Sequence, residues 1–376
     1  MDNSISIILK VCNACNLKCK HCYESADSFC GTTNLMSLSM LEKIFSLAQS
    51  EYKHVRYVWF GGEPLLCGLD YFRDAISLQK QYNSDNIIKN HIQTNGTLLS
   101  EEFADFFKSE GFAVSISYDA QFNEYLRQNT AQTLNGIANC KAANIPCGIL
   151  STIHAGNYDK QIEMYHHIKQ LGCPMKFNPI FPSGTALDNT GYLLNIKAYV
   201  DETVRFFNYW CEDETAVPVS SFVQYIRLFL NLPGRNCVYG ACLYKWISIE
   251  PDGSVFPCSR FSDQRYSFGR IQDTNSLASL FKTAKYCQIV SDAIQRRLLC
   301  RDNCQLYFYC NGGCNSAAAM ECGISKCDFQ LCSITKLIFP RLFNQVTLLE
   351  SQVDIKNPIV RQLLNSSEQS QPISIE

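Results

Sequence analysis

The sequence predicts an α/β protein in two parts: a partial (β/α)6 barrel, then a small cysteine-rich domain carrying a β-hairpin. Three observations predict it. Strand and helix patterns alternate through the first 180 residues, an order that joins parallel strands by right-handed crossovers. The first strand pattern runs into Cys15-Asn16-Leu17-Lys18-Cys19-Lys20-His21-Cys22-Tyr23, three cysteines within eight residues. From Cys237 the composition changes to a second field of cysteines around a Pro-Asp-Gly turn.

Ile5 to Val11 is an apolar run, read as a buried strand. Ser37 to Tyr52 has helical spacing at Met40, Leu41, Ile44, Phe45 and Leu47. Val55 to Phe60 reads as the second strand and ends in Gly61-Gly62-Glu63-Pro64, in isolation only a turn signal. Leu69 to Tyr82 reads as a helix, Ile87 to Ile92 as a strand closing in Gln93-Thr94-Asn95-Gly96. Ser100 to Glu110 is a helix with an N-cap serine and acidic first turn. Phe112 to Ser117 is a strand ending in Tyr118-Asp119, Ala131 to Ala143 a helix, Cys147 to Ile153 a strand, Asp159 to Leu171 a helix. Met175 to Phe181 is the sixth strand.

Residues 183–193 read as a loop. Helices follow from about Asn195 to Trp210 and from Ser221 to Leu232, where Pro233-Gly234 breaks the pattern. The boundary falls there. The barrel and its bridging helices take residues 1–235 and the cysteine domain takes 236–336. A C-terminal helix, Phe339 to Val353, and a polar tail take 337–376. The last residues, NSSEQSQPISIE, are expected to be disordered.

Composition excludes several classes. Of 376 residues 46% are hydrophobic, ordinary for a globular protein, and the formal net charge is −2. No basic patch points to nucleic acid. No apolar run is long enough for a membrane span, and Asp2 without a basic n-region speaks against a secretory signal. The cysteine count of 21 is the outlying number. An odd count with clustered spacings disfavours a disulfide framework and points to metal ligands in a reducing cytoplasm.

Three thiolates in one loop can hold three irons of a [4Fe–4S] cube, whose usual complement is four cysteines. The fourth iron stays open to a substrate or cofactor. Zinc is the other metal such spacings admit. Cys12 reads as a structural thiol and Cys67 as a packing thiol. In the second field Cys237, Cys242 and Cys258 precede Cys300, Cys304, Cys310, Cys314 and Cys332, with Cys322 and Cys327 between the last two. Two zinc sites would also fit these spacings.

The first cysteine loop resembles the C-x3-C-x2-C-aromatic motif of radical S-adenosylmethionine (SAM) enzymes. The second field resembles the SPASM domain that follows some of those barrels, with Gly253 and Cys258 matching its G-x4-C. The resemblance covers residues 5 to about 335. It implies three [4Fe–4S] clusters: one on Cys15, Cys19 and Cys22 that binds SAM, and two auxiliary ones. Cys237, Cys242, Cys258 and Cys314 would hold the first auxiliary cluster. Cys300, Cys304, Cys310 and Cys332 would hold the second. Three residues separate Cys300 from Cys304 where the family has two, so Cys300 is the least secure ligand. Whether Cys322 or Cys327 replaces an assigned ligand stays open.

The resemblance also assigns SAM contacts. Tyr23 follows the cluster motif. Gly61, Gly62, Glu63 and Pro64 resemble the GGEP motif, whose strand edge faces the SAM amino group, with Glu63 a partner for that ammonium. Gln93, Asn95, Ser117, Asp119 and Arg127 fall at strand ends, where such barrels place their sites. Phe177, Asn178 and Pro179 are expected near adenine or substrate. Asp119 is the best-placed carboxylate for a general base. His154 is a second candidate, although a surface position is the commoner fate of such a histidine.

Enzymes of this family mostly modify peptides. One expectation is a maturase that installs a carbon–carbon, ether or thioether cross-link in a ribosomally made peptide, or epimerises a residue. The alternative is an anaerobic sulfatase-maturing enzyme, which forms formylglycine. In that family an aspartate directly follows the post-hairpin cysteine, whereas here Ser259 does, and Pro-Cys-Ser-Arg-Phe (257–261) resembles the Pro-Cys-His-Arg-Phe of peptide maturases. A non-catalytic cluster scaffold is the third reading. The expected partners are a precursor peptide and a reductant such as flavodoxin or ferredoxin. The first strand begins by Ile5, so a separate leader-binding protein, or the enzyme's own surface, is expected to do the work of a leader-binding module.

Overall fold

The computed structural model describes residues 3–24, 35–188, 190–234, 237–239, 242–261, 263–352 and 354–368. The six expected strands are β1 (Ser4–Cys12), β2 (His54–Gly61), β3 (Ile87–Thr94), β4 (Ala113–Ser117), β5 (Cys147–Ile153) and β6 (Met175–Pro179). Each pairs in parallel with the next. The crossovers carry α1 (Leu38–Glu51), α2 (Leu69–Gln81), α3 (Glu101–Ser109), the short α4 (Asn123–Leu126), α5 (Thr130–Ala142) and α6 (Gln161–Gln170). Local chemistry starts these helices where expected. Ser37 and Ser100 accept from the amides of Met40 and Phe103, satisfying donors the helix itself leaves open.

The strands have two different faces. Leu9, Trp59, Ile92 and Val114 stand side by side, with Ile116, Ile149 and Met175 continuing the apolar layer under the helices. The alternate positions, which face the barrel lumen, carry Lys10, His91, Gln93, Ser115, Ser117, Thr152, Lys176 and Asn178 among the apolar Ile8, Val58, Phe60 and Leu150. His91 pairs with Ser115 at 2.8 Å and Gln93 donates to Ser117 at 2.9 Å. A period-2 strand thus buries one face and gives its polar side to a site.

Beyond the barrel come α7 (Thr185–Asp188), α8 (Ile196–Cys211) and α9 (Ser220–Phe229). A hairpin follows, β7 (Trp246–Ile249) and β8 (Ser254–Phe256), and then β9 (Gly269–Arg270). Asp252 caps its turn by accepting from Ser254, and Gly253 takes a left-handed φ of +85°. Here β7 pairs in parallel with β1, so the sheet runs β6-β5-β4-β3-β2-β1-β7-β8-β9. The cysteine domain is built onto the barrel's open edge.

The rest is helical: α10 (Leu277–Leu280), α11 (Ala284–Asn303), α12 (Tyr307–Cys310), α13 (Asn315–Glu321), α14 (Gln330–Glu350) and α15 (Pro358–Glu368). Four expectations change. The C-terminal helix begins at Gln330, not Phe339. Its stripe of Ile334, Ile338, Leu342, Val346 and Leu349 continues straight through Pro340, so the boundary at 336/337 falls inside a helix. Residues 183–193 hold α7 rather than loop alone. Helix α11 has no clear signal in the sequence, because Asp292, Arg296 and Arg297 blur its apolar period. Helix α15 takes in residues 365–368 of the expected polar tail, and 369–376 lie outside the described residues.

Candidate active site

The cysteine loop leaves β1 at a register shift between Lys10 and Cys12. It closes on itself: the Leu17 amide donates to Cys15 Sγ at 3.4 Å and the Cys22 amide to Cys19 O at 3.3 Å. The GGEP turn docks on this loop, with Gly62 N bonded to Cys12 O and Glu63 N to Ala14 O, both at 2.8 Å. A Cβ on Gly62 would lie 2.2 Å from Ala14 O, and one on Gly61 2.2 Å from Cys12 O. The glycines are therefore required by backbone packing within the protein, before any ligand arrives.

Glu63 does not reach the lumen as expected. It is fully buried, and its carboxylate accepts from Leu65 N (3.0 Å), Thr94 Oγ1 (2.7 Å) and Asn95 N (2.7 Å). Burial pushes its carboxyl up to about 7. Its role is to tie the GGEP turn to the end of β3, and Pro64 beside it is buried as well.

Asp119 is also corrected, from free base to anchor. It is fully buried, takes Arg127 Nε at 2.6 Å and the Thr152 amide at 2.7 Å, and lies 3.4 Å from His21 Nε2. Burial opposes its charge, but Arg127, His21 and the amide outweigh it and hold the carboxyl below its ordinary range. The same Arg127 reaches Thr152 Oγ1 and puts Nη1 3.9 Å from Cys19 Sγ. Asn95 places Nδ2 4.0 Å from Cys15 Sγ and bonds Asn16 at 2.9 Å. Asp119, Arg127 and Asn95 thus steady the cysteine loop from the ends of β3 and β4, while Gln93 and Ser117 bond each other on the lumen face.

His154 is buried, not at the surface. Its ring stacks on His21 at 6.1 Å, Nδ1 accepts from Gly156, and burial lowers its pKa. Phe177 is corrected too. It lies on the helix side of β6 against Phe206 at 5.5 Å, and its neighbours Asn178 and Pro179 are half-buried. Tyr23 stacks on Phe60 at 6.3 Å, with Ser259 and Arg260 of the hairpin loop beside its hydroxyl. Two residues had no reading in advance. Lys10 joins the cysteine loop to the hairpin through Glu24 (2.8 Å) and Glu250 (2.9 Å). Its signal was a lysine inside an apolar strand pattern. Arg296 is treated below.

The donor set fits an iron–sulfur cluster. Cys15, Cys19 and Cys22 feel one another's charge, and burial raises all three thiols, to about 12 for Cys15 and about 11 for Cys22. Iron would reverse that shift by stabilising thiolates. Cys12 and Cys67 are turned away, paired with each other and with Ala14 O and Val11 O.

The second field separates into two groups. Cys237, Cys242, Cys258 and Cys314 interact among themselves. So do Cys300, Cys304, Cys310 and Cys332, with Cys327 as a fifth thiol. Cys322 stands outside both, its thiol on Gly323 O. Between the groups lies Arg296, fully buried, donating to Gly312 O (2.9 Å), Ile324 O, Gly313 O (3.5 Å) and Asn315 Oδ1. Asn315 in turn donates to Cys242 Sγ at 3.4 Å. Four-thiol groups braced in this way are suited to closed clusters, in contrast to the three-thiol loop.

A partial parallel barrel with a three-thiol loop at its strand ends defines a radical SAM enzyme. Residues 9–168 match the model of the radical SAM superfamily, and residues 237–305 match an iron–sulfur cluster-binding domain, SPASM. The chain accordingly carries a radical SAM domain followed by a C-terminal SPASM iron–sulfur domain. It is 28% identical over 368 residues to the cysteine-type anaerobic sulfatase-maturating enzyme of Clostridium novyi, covering 92% of this chain and 96% of that one. It is 26% identical to the serine-type enzyme of Klebsiella aerogenes, covering 80% and 77%. Its fold is similar to native anSMEcpe with bound AdoMet and Kp18Cys peptide, with TM-score 0.81, 23% identity, and 92% and 99% of the two chains covered. Among the described residues no helix is long and apolar enough to cross a membrane.

Proposed function

We propose that this enzyme oxidises a ribosomally made precursor peptide and that the oxidation ends in an intramolecular carbon–carbon, ether or thioether cross-link. When bound, SAM and the cluster on Cys15, Cys19 and Cys22 supply a 5′-deoxyadenosyl radical that abstracts a substrate hydrogen. Asn95 and Arg127 hold two of those sulfurs in place. Tyr23 carries the aromatic wall from the loop towards the hairpin.

Ser259 carries the choice of outcome. Formylglycine formation in the sulfatase-maturing family calls on a carboxylate directly after the post-hairpin cysteine, and a serine hydroxyl is no substitute for that base at neutral pH. Four carboxylates of the cysteine loop, the strand ends and the hairpin are engaged by other groups. Glu24 and Glu250 are held by Lys10, Asp119 by Arg127, and Glu63 by three donors. Tyr23 lies beside Ser259 and Arg260, and Lys176 is close to Arg260. The second reading, formylglycine formation, is favoured by the names and near-full coverage of the relatives in Clostridium and Klebsiella.

The reductant we infer is a flavodoxin or ferredoxin, and the compartment a cytoplasm that keeps thiols reduced. The test uses anaerobically reconstituted protein with dithionite, SAM and a small peptide encoded beside the gene. Loss of two hydrogens, with 5′-deoxyadenosine released, is the expected result. Unchanged mass with solvent deuterium at one α-carbon would mean epimerisation. A carbonyl trapped by hydrazine in a sulfatase-motif peptide, with the encoded peptide untouched, would overturn the proposal for the second reading.

A further inference from the structure

The second auxiliary group holds one thiol more than a cluster takes. Cys300 lies in the last turn of α11 and Cys304 caps that helix, its amide donating to Cys300 O at 2.8 Å. The three-residue spacing therefore keeps both on one helical face. The Cys300 thiol donates to Cys327 Sγ at 3.6 Å, across 27 residues of chain. Cys327 lies in the loop before α14, which carries Cys332 in its first turn. Cys332 interacts with Cys327 and Cys304, and Cys300 with Cys310 and Cys332. Five thiols converge where a [4Fe–4S] cube takes four.

The distance identifies which two compete. Two thiols in contact can each reach one iron, although only one at a time can fill a single position on it. Thiolates on separate irons of a cube diverge from one another and stand farther apart. A separation of 3.6 Å thus points Cys300 and Cys327 at one iron. That iron already holds three sulfides, which leaves it a single position for a thiolate.

We propose that Cys300 and Cys327 are alternative ligands to the same iron of the second auxiliary cluster. In the exchange the iron bond to one sulfur breaks as the bond to the other forms. The proton of the incoming thiol passes to the outgoing thiolate, and no electron is transferred. The one-residue departure from the family's spacing is thereby met by a second thiol from another loop. The inference rests on the auxiliary clusters and not on which peptide the enzyme modifies.

Anaerobic alkylation of the fully reconstituted chain with iodoacetamide, followed by digestion and mass spectrometry, tests it. In the wild type Cys300 and Cys327 are each expected to be labelled in part, together about one label per chain, with Cys304, Cys310 and Cys332 protected. In Cys327→Ala, Cys300 becomes fully protected, and in Cys300→Ala, Cys327 does, with iron per chain unchanged in both. Full labelling of one cysteine and full protection of the other in the wild type would overturn the proposal. So would a Cys300–Cys327 disulfide, seen as two unlabelled cysteines released by reductant. The wild-type pattern decides the matter even where a variant fails to fold.

Discussion

Asp119 was readable as a carboxylate at a strand end, but its partner decides what it does. Arg127 lies eight residues on, beyond the short α4, and turns back to pair with the fully buried Asp119 while keeping a small part of its own side chain exposed. Removing one member of a buried pair leaves the other charge uncompensated. Asp119→Asn is expected to destabilise the barrel by about 3–5 kcal/mol. The pH dependence has a definite sign. Arg127 holds the Asp119 carboxyl below its ordinary range, so its contribution is complete above the unfolded value of about 4 and is lost only as pH falls through the folded one. Thermal melts of wild type and variant should stay apart at neutral pH and converge in strong acid. A gap that closed on the alkaline side instead would contradict this account. Glu63 shows the same lesson with the opposite shift: a motif residue expected to meet a ligand is consumed by three protein donors.

At the scale of elements, the six strands were legible because one face of each is mainly apolar, with Asn90, Thr94 and Ser151 as polar exceptions. The helices between them carry helical periods, and α1 and α3 add serine caps. The cysteine domain was legible by its thiols and its Pro-Asp-Gly turn, not by its helices. Helix α11 hides because a basic residue is among those it buries, beside Tyr286, Ile289, Val290 and Ala293. Arg296 looks like a solvated residue beside Arg297, yet it donates to backbone carbonyls on both sides of α13 and stacks near Phe329 at 5.9 Å. Those carbonyls belong to the loops that present Cys314 and Cys327. Arg296→Met keeps the length but strands the carbonyls, and unpaired buried acceptors are costly. Iron in the reconstituted variant should fall from about twelve to about four per chain, on the four-iron cube. The EPR signal of the SAM-bound cluster should persist. A variant with full iron would reduce Arg296 to a packing residue.

Across the whole molecule, the main sheet crosses the sequence boundary near residue 235. Strand β7 lies against β1 and protects an edge that would otherwise be open to pairing with another chain. Ile247, Ile249 and Val255 belong to the same core as the barrel strands. The same core runs on through Phe268, Leu277, Leu280, Tyr286 and Val290, but around the cysteine groups the apolar clusters are small: Phe256, Phe261, Ile289, Ala293, Ala319 and Ile324 in one, and Ala317, Ala318 and Phe329 in the other. Such a region depends on its metal for folding energy, whereas the nine-stranded sheet does not. Hydrogen exchange on loaded and iron-stripped protein should therefore divide the chain inside the SPASM domain. Residues 300–329 should lose protection when iron is removed, while β7 and β8 stay as protected as β1 and β2. The cooperative unit of the barrel would then include the hairpin that the sequence assigns to its neighbour. If β7 and β8 instead opened together with 300–329, the hairpin would belong to the clusters, and the shared sheet would be a contact between two units rather than the core of one.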